Sequence, residues 1–120
     1  MNNIILEKEK SLFKLEYMKN NKYLNEIIDD NYLEIGKSGK FISKSQVIED
    51  LTKQAKNREI TIYNYKCDKI DNNTWVIHYI TKNNEDKIYR TSIWQENDNL
   101  LRIIFHQASK LTEEIKLIEY

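Results

Sequence analysis

Two histidines, His78 and His106, are the side chains here whose ordinary pKa lies near neutrality. His106 ends an apolar run, Ile103-Ile104-Phe105. A histidine at the mouth of a pocket can move a proton. It can equally line or seal that pocket as a hydrogen-bonded wall residue. His78 falls in the middle of a β-type run and is read as an exposed or interfacial side chain. Glu34 sits among apolar residues, where a carboxylate needs a partner, and Arg90 offers a bidentate one. The pair is expected within roughly 6 Å, either fixing the sheet or clamping a ligand's carboxylate or carbonyl. A carboxylate so paired has a lowered pKa and makes a poor base. Tyr32, Tyr65, Tyr79 and Trp94 supply apolar walls with polar tips. They fit a packed core, and they also fit donors aimed at a bound carbonyl.

Other chemistry finds little support. Cys67 is the single cysteine, so no internal disulfide and no cysteine metal site is expected. Gly36-Lys37-Ser38-Gly39 lacks the spacing of a phosphate-binding loop. There is no His-x-x-x-His, cysteine pair or calcium loop, and no cofactor or metal is expected. Lys plus Arg total 19 and Asp plus Glu total 19. A nucleic-acid binder normally carries a basic excess, so no nucleic-acid partner is expected.

The elements that must position these residues follow from periodicity. Ile5, Leu6, Leu12, Phe13 and Tyr17 recur at helical spacing and predict one amphipathic helix of about four turns. Asn21 is read as the N-cap of a second helix with Tyr23, Leu24, Ile27 and Ile28 inward. Asp29-Asp30-Asn31 is read as its stop. Tyr32–Ile35 alternates as a short strand and enters a tight turn holding both glycines, Gly36 and Gly39. Ser43 with Gln46 makes a capping box, and Val47, Ile48, Leu51 and Ala55 give the third helix its buried face.

From Ile60 the pattern changes. Ile60–Ile70, Thr74–Thr81, Ile88–Glu96 and Leu100–Gln107 are rich in β-branched and aromatic residues. Asn- and Asp-rich turns separate them, which predicts an antiparallel meander. Residues 110–120 are read as an extension, either a short helix with Leu111, Ile115 and Ile118 inward or an added strand. Helices followed by a run of strands define an α+β class, and a sheet of this size curls so that helices on its concave face close a cone.

The 120 residues amount to one domain, 1–120, with 32% charged, 40% hydrophobic and 11% aromatic residues. The opening residues lack the roughly 7–15 apolar residues of a secretory signal, and no run approaches a membrane span. A cytoplasmic location without a membrane partner is therefore expected.

Three stretches carry a family resemblance. Asp29–Lys40, with its acidic pair, aromatic, Glu34, Gly36 and Ser38-Gly39, is similar to the strand-and-turn segment of SnoaL-like domains. These belong to the nuclear-transport-factor-2-like superfamily and are gathered as domain of unknown function family 4440. Arg90-Thr91-Ser92-Ile93-Trp94 resembles the Arg-x-Ser-x-Trp strand of that family. Arg102–Gln107 resembles its last strand, which commonly ends Phe-His-Gln. The chain departs from the pattern at Leu101, at Ala108-Ser109 and at Lys110. The likeness spans about residues 5–109. It implies a cone of three N-terminal helices on a curved, mainly antiparallel sheet. It also implies a frequent homodimer and a pocket that Tyr32, Glu34, Tyr65, Tyr79, Arg90, Ser92, Trp94 and His106 would line.

Three functions compete on this reading. The first is a pocket protein for a small, mostly apolar ligand with a polar or anionic group. The second is an isomerase, dehydratase or cyclase with His106 as acid/base and Arg90 as stabiliser. The third is an interaction module with a closed pocket. An open cavity around His106 and Trp94 favours the first two, and a filled cone favours the third.

Overall fold

The computed structural model describes residues 1–58 and 60–120. Among these residues, four helical segments and six strands run in the order α1 (Asn2–Ser11), α2 (Leu15–Met18), α3 (Asn21–Ile27), β1 (Ile28–Ile35), β2 (Phe41–Ser43), α4 (Lys44–Thr52), β3 (Tyr63–Asp71), β4 (Thr74–Asn83), β5 (Asp86–Asn97) and β6 (Leu100–Lys110). The strands form one sheet in the order β2-β1-β6-β5-β4-β3. All neighbours are antiparallel except β1 and β6, which run parallel. The class is α+β, with the meander as expected and the β1–β2 hairpin added at its edge. No helix among the described residues is long and apolar enough to cross a membrane.

The predicted four-turn first helix is two pieces. Its ladder stops at Ser11, and Lys14 takes an extended conformation. Two contacts hold the break open: Arg58 N donates to the Phe13 carbonyl at 2.9 Å, and Asn57 Oδ1 accepts from Leu15 N at 2.6 Å. Phe13 is thereby released from a helical path and buried. Asn20, not Asn21, caps α3, accepting from Tyr23 N. Asp29-Asp30-Asn31 belongs to β1 and does not end a helix. The capping box of Ser43 and Gln46 forms on α4. Ala55 lies beyond that helix and is exposed, so only Leu51 of its predicted face is fully buried.

Non-glycine turns close the hairpins of the meander. Asn84, Asp98 and Asn99 take positive φ, which Asn and Asp tolerate because their short side chains bond locally. The tail forms no helix. Leu111 N donates to the Lys87 carbonyl and Tyr120 N to the Ile62 carbonyl, so the tail spans one end of the sheet. Asn64 clamps it, accepting from Ile118 N at 2.7 Å and donating to the Lys116 carbonyl at 3.1 Å. Ile115 and Ile118 are exposed, not inward.

Alternation along the strands sets the concave face. Trp75, Ile77, Tyr79 and Thr81 on β4, and Ser92 and Trp94 on β5, are all buried. On β6 the register slips: Ile93 pairs with Phe105, but Trp94 pairs with Ile103. Ile104 is the extra residue of a β-bulge. The bulge reverses the parity of everything after it. Leu101 and Ile103 face inward before it, and His106 and Ala108 face inward after it. Phe105, which regular alternation would put on the same side as Leu101 and Ile103, turns to the opposite face beside Ile93 and Leu33.

Candidate functional site

A cavity of about 210 Å³ opens between the concave face, α1, α4 and the chain after α4. Its apolar wall comes from Leu12, Phe13, Ile28, Val47, Leu51 and Ile103. Its polar wall comes from Tyr32, Glu34, Arg90 and His106, joined by Glu9, Asp50, Gln54 and Arg58. Pockets for drug-sized ligands usually run to about 300–1,000 Å³, so this one suits a smaller molecule.

Register explains which groups meet. Ile77, Ser92, His106 and Glu34 form one row across β4, β5, β6 and β1. His106 therefore stands between Ser92 and Glu34. Arg90 lies one inward position along, beside Tyr79 and Ala108.

One of the lining carboxylates is a residue that the sequence reading passed over. Glu9 on α1 is only 2% exposed. Its Oε2 accepts from Tyr79 Oη at 2.5 Å and from Ser92 Oγ at 2.9 Å. Its Oε1 accepts from Trp94 Nε1 at 2.9 Å. Burial raises the Glu9 pKa, while the Tyr79, Trp94 and Ser92 hydrogen bonds and the charge of Arg90 pull against that. Ser92 Oγ also meets His106 Nδ1 at 2.6 Å. Glu9 Oε2 and His106 Nδ1 are 3.7 Å apart, too far for a direct bond, so Ser92 is the link. Burial lowers the His106 pKa to about 4, with Arg90 and Arg58 acting the same way and Glu34 opposing them. The ring is neutral at pH 7.

A neutral ring between these partners has a defined tautomer. The single Ser92 proton points to Glu9, so His106 Nδ1 must carry the proton that joins it to Ser92 Oγ. Nε2 then bears a lone pair. No fully buried side-chain nitrogen or oxygen among the described residues lacks a hydrogen-bond partner. Nε2 has no hydrogen-bond partner among the described residues and is therefore not fully buried, which leaves it toward the cavity that His106 lines.

The expected Glu34–Arg90 ion pair does not form. Glu34 accepts from Tyr32 Oη at 2.6 Å, and Arg90 Nε donates to Thr81 Oγ1 at 2.8 Å. The reason is topological: β6 lies between β1 and β5, so the two residues stand two strands apart, roughly 10 Å at the backbone. Arg90 instead faces the Phe13 ring at 5.5 Å, with Arg58 over that ring at 4.5 Å. Among the described residues, neither arginine has a carboxylate oxygen within 4.0 Å. Burial and the neighbouring Arg90 charge lower the Arg58 pKa.

Of the eight residues expected to line a pocket, Tyr32, Glu34, Arg90 and His106 do so. Tyr79, Ser92 and Trp94 do not line it; they sit underneath and hold Glu9. Tyr65 lies elsewhere, edge-on to Tyr120 at 4.8 Å, on the β3 side of the sheet. His78, on the outer face, meets Thr91 Oγ1 at 2.9 Å and stacks on Tyr89. Among the described residues no group of three or more His, Cys, Asp or Glu side chains could hold a metal ion.

The fold is the nuclear-transport-factor-2-like, cystatin-like α+β cone. A nuclear-transport-factor-2-like protein from Cytophaga hutchinsonii superposes with a TM-score of 0.74 at 20% identity, covering 92% of this chain and 98% of that one. One of unknown function from Prochlorococcus does so with a TM-score of 0.70 at 17% identity, over 92% of each chain. A protein with a cystatin-like fold from Caulobacter vibrioides gives 0.71 at 10% identity, over 92% of this chain and 89% of that one. These likenesses establish the fold. No family model and no curated protein matches the sequence.

Proposed function

We propose that this chain binds a small, mostly apolar molecule carrying one anionic group. The anion is held between Arg58 and Arg90, and the apolar body lies along Leu12, Val47, Leu51 and Ile103. One observation carries the reading: two guanidinium groups share the Phe13 ring at the cavity with no carboxylate partner among the described residues. Like charges so placed repel each other, and an incoming carboxylate or phosphate relieves the repulsion through charge-assisted bonds. A closed interaction module has no use for this pair beside an open cavity.

The test is a titration of isotope-labelled protein with phenylacetate and, separately, with uncharged phenylacetamide. The carboxylate is expected to saturate and to move the Arg58 and Arg90 side-chain resonances, while the amide does not. A hydrogen bond to a charged group is worth about 1.5–3 kcal/mol, so Arg90→Gln should weaken binding at least about tenfold. Equal response to both compounds, or to neither, contradicts the proposal.

A further inference from the structure

We infer that Glu9, Ser92 and His106 form a proton relay, which makes His106 Nε2 a general base for a small enolisable carboxylate bound in the cavity. The inference rests on the anionic-ligand reading above. It names the reaction that such a ligand would undergo.

The geometry supplies each part. His106 Nε2 faces the cavity, and Nδ1 meets Ser92 Oγ at 2.6 Å. Ser92 Oγ in turn reaches Glu9 Oε2 at 2.9 Å. Both Ser92 and Glu9 are closed off from solvent, at 0% and 2% exposure. A buried carboxylate on three donors could serve the fold alone. Only two of those donors, Tyr79 and Trp94, end on Glu9; the third passes through to an imidazole whose other nitrogen is open. That continuation is unnecessary for satisfying Glu9 and is what a relay requires.

The proton balance closes. In the resting arrangement Glu9 is ionised, Ser92 donates to it, and His106 Nδ1–H donates to Ser92. A carbon acid with its C–H at Nε2 gives its proton to that nitrogen. The Nδ1 proton passes to Ser92 Oγ, and the Ser92 proton passes to Glu9 Oε2. The electron pair of the broken C–H bond becomes the enolate, whose oxygen faces the positive charge of Arg90 and Arg58. His106 ends neutral with Nε2–H, so no imidazolium persists in the buried site. Return of the proton from Nε2 to the same carbon completes a hydrogen exchange, and in a β,γ-unsaturated ligand its return to the γ carbon of the dienolate completes an isomerisation, with no co-reactant. Ser92 lies outside the cavity lining and is a positioning residue, while Glu9, at the cavity wall, is the end of the relay. His106 is the catalytic one.

The test uses three probes in D₂O: pyruvate, 2-oxobutyrate and phenylpyruvate. Proton NMR follows loss of the C3 hydrogens, and chemical shifts of Arg58 and Arg90 report binding. Wild-type protein is expected to bind at least one probe and to speed its exchange above buffer. Positioned acid–base groups contribute about 10²–10⁴-fold, so His106→Gln should lose at least about 100-fold in rate and keep binding. Ser92→Ala should shift the pH–rate profile. Long-range proton–nitrogen spectra of unaltered protein add a readout free of folding effects: Nδ1 protonated and Nε2 bare at neutral pH. A proton on Nε2 at rest, or binding without exchange, overturns the relay and leaves the binding reading standing. Failure of all three probes to bind overturns both.

Discussion

Burying His106 among positive neighbours has a consequence for stability. In the unfolded chain the ring takes a proton near pH 6.5, but in the fold it refuses one until about pH 4. Between those values the unfolded state binds more protons, so stability falls as the pH drops through the window. The full difference is roughly 3 kcal/mol at about 1.36 kcal/mol per pKa unit. Glu9 acts in the opposite sense. Its folded pKa is raised, so the cost of burying its charge is relieved as acid protonates it. Arg90, Arg58 and Glu34 also face the ring. Denaturant unfolding at pH 7 and pH 4.5 should show wild type losing markedly more stability than His106→Gln. Equal losses would mean that the ring is solvated and outside the cavity. The sequence signalled His106 as a titrating group at a strand end but hid its partner. Glu9 falls on the apolar stripe of α1, four residues after Ile5 and four before Phe13. A carboxylate at that phase of a helix is the available sign of a buried acid. Arg58, between elements, carried no comparable signal.

At the scale of elements, what could be read depended on whether local rules decided the outcome. The capping box at Ser43, the Asn- and Asp-based turns and the meander are local, and the chain states them openly. The break after Ser11 is not local: it depends on Asn57 and Arg58, more than forty residues away in the sequence. The Glu34–Arg90 pairing failed for a related reason. Motif order does not reveal that β6 inserts between β1 and β5. The bulge at Ile104 is the element that builds the site. Without it, alternation from Leu101 and Ile103 would send Phe105 inward and His106 to the outer face. A regular strand would put His106 on the side of Arg102, so simple alternation cannot bring this histidine inward. A bulge is a common way to re-aim one side chain beside a site.

At the scale of the molecule, the outer sheet face carries a row of apolar residues. Val76, Ile93, Phe105 and Leu33 align across β4, β5, β6 and β1. Leu33 is 38% exposed. We propose that a second copy of the chain covers this row, since contiguous apolar surface on a sheet marks an interface. Sedimentation at tens of micromolar should give a dimer, and Phe105→Lys should give a folded monomer. A wild-type monomer would remove the proposal. The proposed chemistry requires the anion to be held by Arg58 and Arg90 with the rest of the ligand reaching toward His106. A crystal structure of the protein soaked with phenylpyruvate tests this most directly. The carboxylate is expected within hydrogen-bond distance of both guanidinium groups, with C3 facing His106 Nε2. A carboxylate bound elsewhere, or a cavity closed by its own side chains, would contradict the account.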